Sequence, residues 1–262
     1  MVFKKLLAAL GVGGPEVETT LHNPNVRPGD VLTGQIEIIG GEHESEITSV
    51  NVSLVTRIEV ESGDSEYQKN QEFARVAAAG RFMLLPKARH TVQFSLQVPW
   101  ETPLTHVYGH HLRGMTMGVT TELAVARAVD ATDLDPIAVH PLPAQERLLE
   151  AFAQLGFRFR SADCEQGRIY GVNQTLPFYQ EIEFLPPPQY ARGINQLEVT
   201  FIAGPRSMDV VLELDKRGGL FTEGRDVFGH FTVDYATVGS TDWASQLDAW
   251  LRQSAQRRGL FF

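Results

Sequence analysis

The sequence predicts a mainly β protein of two sandwich domains in tandem, with a short helix at the N-terminus, one after the interdomain connection and one at the C-terminus. Three observations lead there. Apolar side chains recur with a period of two over most of the chain. Groups of Pro, Gly, Asn and Asp separate these runs, as in Asn23-Pro24-Asn25, Arg27-Pro28-Gly29-Asp30, Gly40-Gly41 and Glu61-Ser62-Gly63-Asp64. Residues 136–143 read Pro-Ile-Ala-Val-His-Pro-Leu-Pro, three prolines in an extended connection that disfavours helix and central strand.

In the first domain, residues 1–135, Leu32, Ile36 and Ile38 form one strand face and Gln35 and Glu37 the other. From Val50 to Val60 the even positions, Val50, Val52, Leu54, Thr56, Ile58 and Val60, are set for a core. Val92, Phe94, Leu96 and Val98 alternate with Thr91, Gln93, Ser95 and Gln97. Leu123, Val125 and Val129 mark a further strand whose other face carries Ala124, Ala126 and Ala128. Strands in series without interleaved helices indicate a sandwich.

Residues 136–143 are the predicted linker and residues 144–262 the second domain. Leu148, Leu149, Phe152 and Leu155 have helical spacing, and Gly156 ends that helix. Period two returns in Phe178, Ile182 and Phe184 against Tyr179, Glu181 and Glu183, then in Leu197, Val199 and Phe201, in Val210, Leu212 and Leu214, and in Phe231, Val233 and Tyr235. A last helix starting near Ser240 or Thr241 puts Trp243, Leu247, Trp250 and Leu251 on one face. Arg252, Arg257 and Arg258 lie toward its C-terminal end, where cations suit the helix dipole.

Composition narrows the function classes. The 262 residues are 43% hydrophobic and 21% charged, an ordinary globular balance with apolar material for two cores. The net charge of −9 argues against binding along a nucleic-acid backbone, which needs a basic stripe. The single cysteine, Cys164, makes no intrachain disulfide and reads as a free thiol in a reducing compartment. No run approaches the ~20 apolar residues of a membrane-spanning helix. The apolar stretch from Leu6 to Leu10 is too short for a secretory signal, so the expected location is the cytoplasm.

The stretch Val26-Arg27-Pro28-Gly29-Asp30-Val31-Leu32-Thr33-Gly34-Gln35-Ile36 resembles the opening of arrestin-type domains, where a Pro-Gly turn leads into a strand that carries a glycine. Phe3-Lys4-Lys5-Leu6-Leu7, Gly114-Met115-Thr116-Met117-Gly118-Val119 and Asp133-Leu134-Asp135-Pro136 resemble segments of the bacterial sporulation-control family of the SpoOM type. So do Leu176-Pro177-Phe178-Tyr179-Gln180-Glu181-Ile182-Glu183-Phe184 and Asp215-Lys216-Arg217-Gly218-Gly219. The resemblance implies two arrestin-like β-sandwiches and a regulatory, non-catalytic role exercised through protein partners, with no cofactor. It carries over no catalytic residue.

Three groups are candidate sites. Arg57 and Glu59 share one face of a strand, and Asp130, Asp133 and Asp135 close the first domain. Arrestins hold their domains with buried opposite charges, so the resemblance implies a polar latch between Arg57 and one of these aspartates. The Asp-x-x-Asp-x-Asp spacing lacks the glycine and distal glutamate of a calcium-binding EF-hand. His106, His110 and His111 lie within six residues and are candidate ligands of a transition metal, though without the helical frame or glutamate of a metalloprotease. Phe3, Leu6, Leu7 and Leu10 share a helical face flanked by Lys4 and Lys5, suited to packing on protein, to a second copy in a homodimer, or to the surface of an anionic membrane. The membrane reading is the alternative to the adaptor. Gly11-x-Gly13-Gly14 and Gly40-Gly41 are weak phosphate-loop signals, because the first does not follow a strand and no Gly-Lys-Ser/Thr triplet occurs.

Overall fold

The computed structural model describes residues 13–62, 65–126, 130–215 and 227–256. The expected N-terminal helix with Phe3, Lys4, Lys5, Leu6, Leu7 and Leu10 lies outside them, as do Ala128, Val129, Arg257 and Arg258. The chain is mainly β, as the periodicity predicts. The strands begin with β1 (Glu16–Leu21), β2 (Asn25–Val26), β3 (Val31–Ile39), β4 (Ser45–Ser62), β5 (Ser65–Ala79), β6 (Phe82–Leu84) and β7 (Arg89–Gln97). There follow β8 (His106–Val107), β9 (His110–His111), β10 (Met117–Val125), β11 (Ala131–Pro136), β12 (Ala138–Val139) and the helix α1 (Pro143–Gln154). The chain continues with β13 (Arg158–Gln166), β14 (Phe178–Leu185), β15 (Gln196–Ala203), β16 (Ser207–Asp215), β17 (Val227–Asp234) and the helix α2 (Trp243–Gln256).

Contacts divide the chain into two units, and the division is not made by one cut. Of the described residues, 13–57, 70–99, 116–126 and 130–139 belong to the first, and 58–62, 65–69, 100–115, 140–215 and 227–256 to the second. The reason is strand length. At eighteen residues, β4 is twice as long as β3, β10 or β13, and its last residues pair away from the first unit, Glu59 lying opposite Glu165 of β13. Within the extended connection, Ala138 and Val139 form β12 and pair in parallel with Asn25 and Val26. Pro143 then opens α1, where its missing N–H costs no hydrogen bond.

In the first unit, β1-β3-β7 form one antiparallel sheet, and β11, β10 and the first part of β4 form another. Leu32 faces Leu96 and Ile36 faces Val92 across β3 and β7. These side chains are buried together with Val50, Val52, Leu54, Val119 and Leu123, the core face predicted from alternation. Each such side chain contributes about 1.5–3 kcal/mol by leaving water. The glycine of the arrestin-like opening, Gly34, has no room for a side chain: a Cβ there would lie 2.6 Å from the Phe94 ring. Thr19 of β1 and Thr121 of β10 are buried, and their hydroxyls hydrogen-bond at 2.7 Å, so two inward polar groups satisfy each other.

In the second unit, antiparallel pairing runs β13-β14-β15-β16-β17. The inner face carries Ala162, Cys164, Phe178, Ile182, Leu197, Val199, Val210, Leu212 and Leu214, all buried. Phe201 is an exception to the alternation. It is half-buried while Thr200 is buried. Helix α1 buries Leu148, Leu149 and Phe152. Phe152 stacks on Phe184 (ring centroids 5.7 Å apart) and meets Phe157 edge to face, and Phe157 stacks on Tyr190. Helix α2 starts one residue later than its predicted cap: Asp242, not Ser240 or Thr241, accepts the Ser245 amide at 3.1 Å. Leu247 and Leu251 are buried, Trp243 stacks on Phe231 at 5.8 Å, and Trp250 packs against Gly229.

Candidate functional site

The outer face of the second unit's sheet collects carboxylates. Side chains alternate, so Asp163 and Glu165 of β13 point away from buried Ala162 and Cys164, and Glu181 of β14 away from Ile182. The register does the rest. Asp163 lies opposite Glu181, Glu165 opposite both Glu59 and Tyr179, and Glu183, Glu198 and Glu213 form one row across β14, β15 and β16. Carboxylate oxygens of Asp163, Glu165 and Glu181 lie within 4.8 Å of one another, and so do those of Glu181, Glu198 and Glu213. Glu181 belongs to both trios.

Several of these carboxylates have local partners. Glu183 accepts the Ser161 hydroxyl at 2.7 Å and sits 3.5 Å from the Arg160 guanidinium. Glu198 accepts the Gln196 amide at 2.8 Å. One oxygen of Asp163 is buried without a hydrogen-bond partner. Like charges held this close in a partly dry cleft favour protonation. Burial, with Glu198 and Asp163 next, pushes Glu181 up to about 9. Burial, with Glu183 and Glu165 next, pushes Asp163 up to about 7. Glu165 is raised by burial and by Glu59. The Tyr179 hydroxyl is raised by burial and by Glu181.

The face is concave. A cleft of about 510 Å³ is lined by Glu181, Glu198 and Glu213 with Tyr170, Tyr179, Arg168 and His230. A second hollow of about 470 Å³ shares Tyr179, Glu181, Glu198 and Glu213 and adds Glu61 and Glu165. The oxygen trios offer the donor type that a hard cation such as calcium takes. Only the acidic convergence points to an ion there, and the trios are not assigned as ligands. What the arrangement does offer is a negative groove walled by two tyrosine rings, a surface complementary to extended cationic side chains.

The predicted candidates are placed as follows. Arg57 is exposed on β4, and Glu59, two residues on, is half-buried and accepts the Gln68 amide at 2.6 Å. Asp130 accepts the Val125 amide at 2.9 Å. Asp133 accepts the Thr19 amide at 2.7 Å, capping the first sheet's edge strand β1. Asp135 is raised to about 6 by burial, Asp133 and Glu18, so its strongest neighbours are carboxylates rather than a cation. Of the histidines, the structure brings His106 and His111 together as a cross-strand pair with ring centroids 5.1 Å apart, while His110 faces Val107. It adds His140, whose ring centroid lies 5.3 Å from that of His106. Sequence reasoning missed both His140 and the carboxylate face. The alternation of Tyr179, Glu181 and Glu183 was its one visible trace.

No helix among the described residues is long and apolar enough to cross a membrane. A family profile described as SpoOM protein matches residues 3–218. The chain is 32% identical over 216 residues to the sporulation-control protein spo0M of Bacillus subtilis strain 168, covering 82% of this chain and 81% of that protein. The crystal structure of Spo0M, the sporulation-control protein from Bacillus subtilis, superposes with a TM-score of 0.80 at 26% identity, covering 92% of this chain and 99% of that one. Fold, length and sequence agree, and the chain belongs to the SpoOM protein family.

Proposed function

We propose that this chain is a non-catalytic regulatory adaptor of the cytoplasm, which acts by docking cationic segments of protein partners in the carboxylate cleft of its second unit. The observation that carries the reading is the convergence of Glu181, Glu198 and Glu213 in a groove walled by Tyr170 and Tyr179. A lysine or arginine entering it would meet Glu198 and Glu213, favour the charged form of Glu181 and lie beside the Tyr170 and Tyr179 side chains, so association there is driven by charge and cation–π contact together. The same negative face repels phosphate backbones. The sporulation-control name of the Bacillus subtilis relative supports a role in regulation.

The test is crosslinking in the native cell, with the wild-type chain and the double variant Glu198→Lys, Glu213→Lys as baits and mass spectrometry as readout. The reading expects a reproducible set of proteins crosslinked through lysines to the cleft and absent with the charge-reversed bait. Equal recovery by both baits would remove the cleft from the argument. Recovery of membrane fragments alone would favour a peripheral membrane protein and call for liposome co-sedimentation with and without residues 1–10.

A further inference from the structure

The β8–β9 hairpin belongs to the second unit and places imidazoles deliberately. Its turn is Tyr108-Gly109, with φ of 52° and 76°, the left-handed pair that joins two strands in two residues. That turn sets the register, so His106 and His111 stand directly opposite each other and Val107 opposite His110. His140, in the same unit, brings a third ring against His106. We propose that His106, His111 and His140 form a binding site for a divalent transition-metal ion of the zinc class.

Geometry supports this more than the mere count of histidines. A tetrahedral zinc ion bonds imidazole nitrogens at about 2.0–2.1 Å, which puts each ring centroid about 3.2 Å from the metal and two centroids about 5.2 Å apart. The observed separations from His106 are 5.1 Å to His111 and 5.3 Å to His140. The nitrogens do not yet converge as the carboxylate trios do, so loading requires the rings to turn about their side-chain torsions, not the strands to move. His111 is exposed, which leaves its ring room to turn.

The surroundings suit a ligand as well. The buried Thr105 hydroxyl lies 2.9 Å from His106 Nδ1, which orients the ring and leaves Nε2 as the ligating nitrogen, the supporting contact that metal-binding imidazoles commonly have. Imidazole donors select zinc, copper or nickel over calcium or magnesium. A water or a partner's side chain would complete the coordination.

The experiment is calorimetric titration of the full chain, stripped of metal with EDTA, with Zn²⁺, paired with Co²⁺ titration read by its visible absorption. The proposal expects one Zn²⁺ per chain and a tetrahedral Co²⁺ spectrum. It expects affinity to fall at least about tenfold in each of His111→Ala and His140→Ala. The neighbouring His110→Ala and the double carboxylate variant Glu165→Gln, Glu181→Gln should bind like wild type. Circular dichroism checks that each variant is folded, and the exposed position of His111 makes its variant the safest. Absence of binding, unchanged affinity in His140→Ala, or loss in the carboxylate variant instead would each overturn the assignment.

Discussion

Replacing Glu181 by glutamine should make the second unit more stable, and only where the carboxyl would otherwise be forced to choose. In the folded chain Glu181 is pushed from an ordinary 4.5 to about 9 by burial, Glu198 and Asp163. Between those values the folded state holds a proton that the unfolded state has released. The folded state binds more protons, so stability falls as pH rises through this window. At pH 7.5 the penalty is about 3 pH units at 1.36 kcal/mol each, or about 4 kcal/mol, an upper figure because the cleft admits water. Glutamine has the shape of the protonated acid without the penalty. Glu181→Gln should therefore add roughly 2–4 kcal/mol at pH 7.5, a rise in Tm on the order of 10 °C, and close to nothing at pH 4.5. The chain offers a convenient reporter: all three tryptophans, Trp100, Trp243 and Trp250, lie in the second unit, so intrinsic fluorescence follows the unfolding of that unit. Equal shifts at the two pH values, or destabilisation at pH 7.5, would refute the reasoning that a partly dry, crowded carboxylate cluster strains the fold.

Other expectations follow from single contacts. Gly114 has φ of +100°, and a Cβ there would lie 2.1 Å from the Ala162 carbonyl oxygen, so Gly114→Ala should cost about 2 kcal/mol or more in urea unfolding. At Gly229 an added Cβ would lie 2.3 Å from the Trp250 ring; Gly229→Ala should displace α2 and shift tryptophan emission to the red. Phe152 is fully buried among aromatic rings, and Phe152→Ala should cost about 3–5 kcal/mol by calorimetry. Asp133→Ala removes the acceptor of the Thr19 amide and should lose about 1–3 kcal/mol while speeding hydrogen exchange at that amide.

Much of the fold was legible. Val50, Val52, Leu54, Thr56, Ile58 and Val60 all face inward, as their alternation required, because a strand has only two faces and one of them must leave water. The helix after the prolines buries Leu148, Leu149 and Phe152 for the corresponding reason at period 3.6. Local rules did less well where two neighbours compete. Asp242 outbid Ser240 and Thr241 as the cap of α2, since the Thr241 hydroxyl bonds back to the Thr237 carbonyl at 3.2 Å. The end of β4 left the first unit because its pairing with β13 is a long-range choice that no local pattern announces.

The site was barely legible at all. Each of Asp163, Glu165, Glu181, Glu198 and Glu213 is an unremarkable polar residue on the outward side of its own strand. Residues 165 and 213 become neighbours of one hollow only through the register of four strands, and a slip of one residue in any of them would turn its carboxylate to the other face. The histidines show the same division. Sequence proximity proposed His106, His110 and His111, whereas the hairpin register retained His106 with His111 and the fold supplied His140. The sequence by itself determined which residues lie in strands, which faces are apolar and which family the chain resembles, because these follow from periodicity and local motif. Which charges meet, how strongly they repel and where three imidazoles gather was decided by tertiary structure, because electrostatics depends on separation in space, and strand pairing joins residues far apart in the chain.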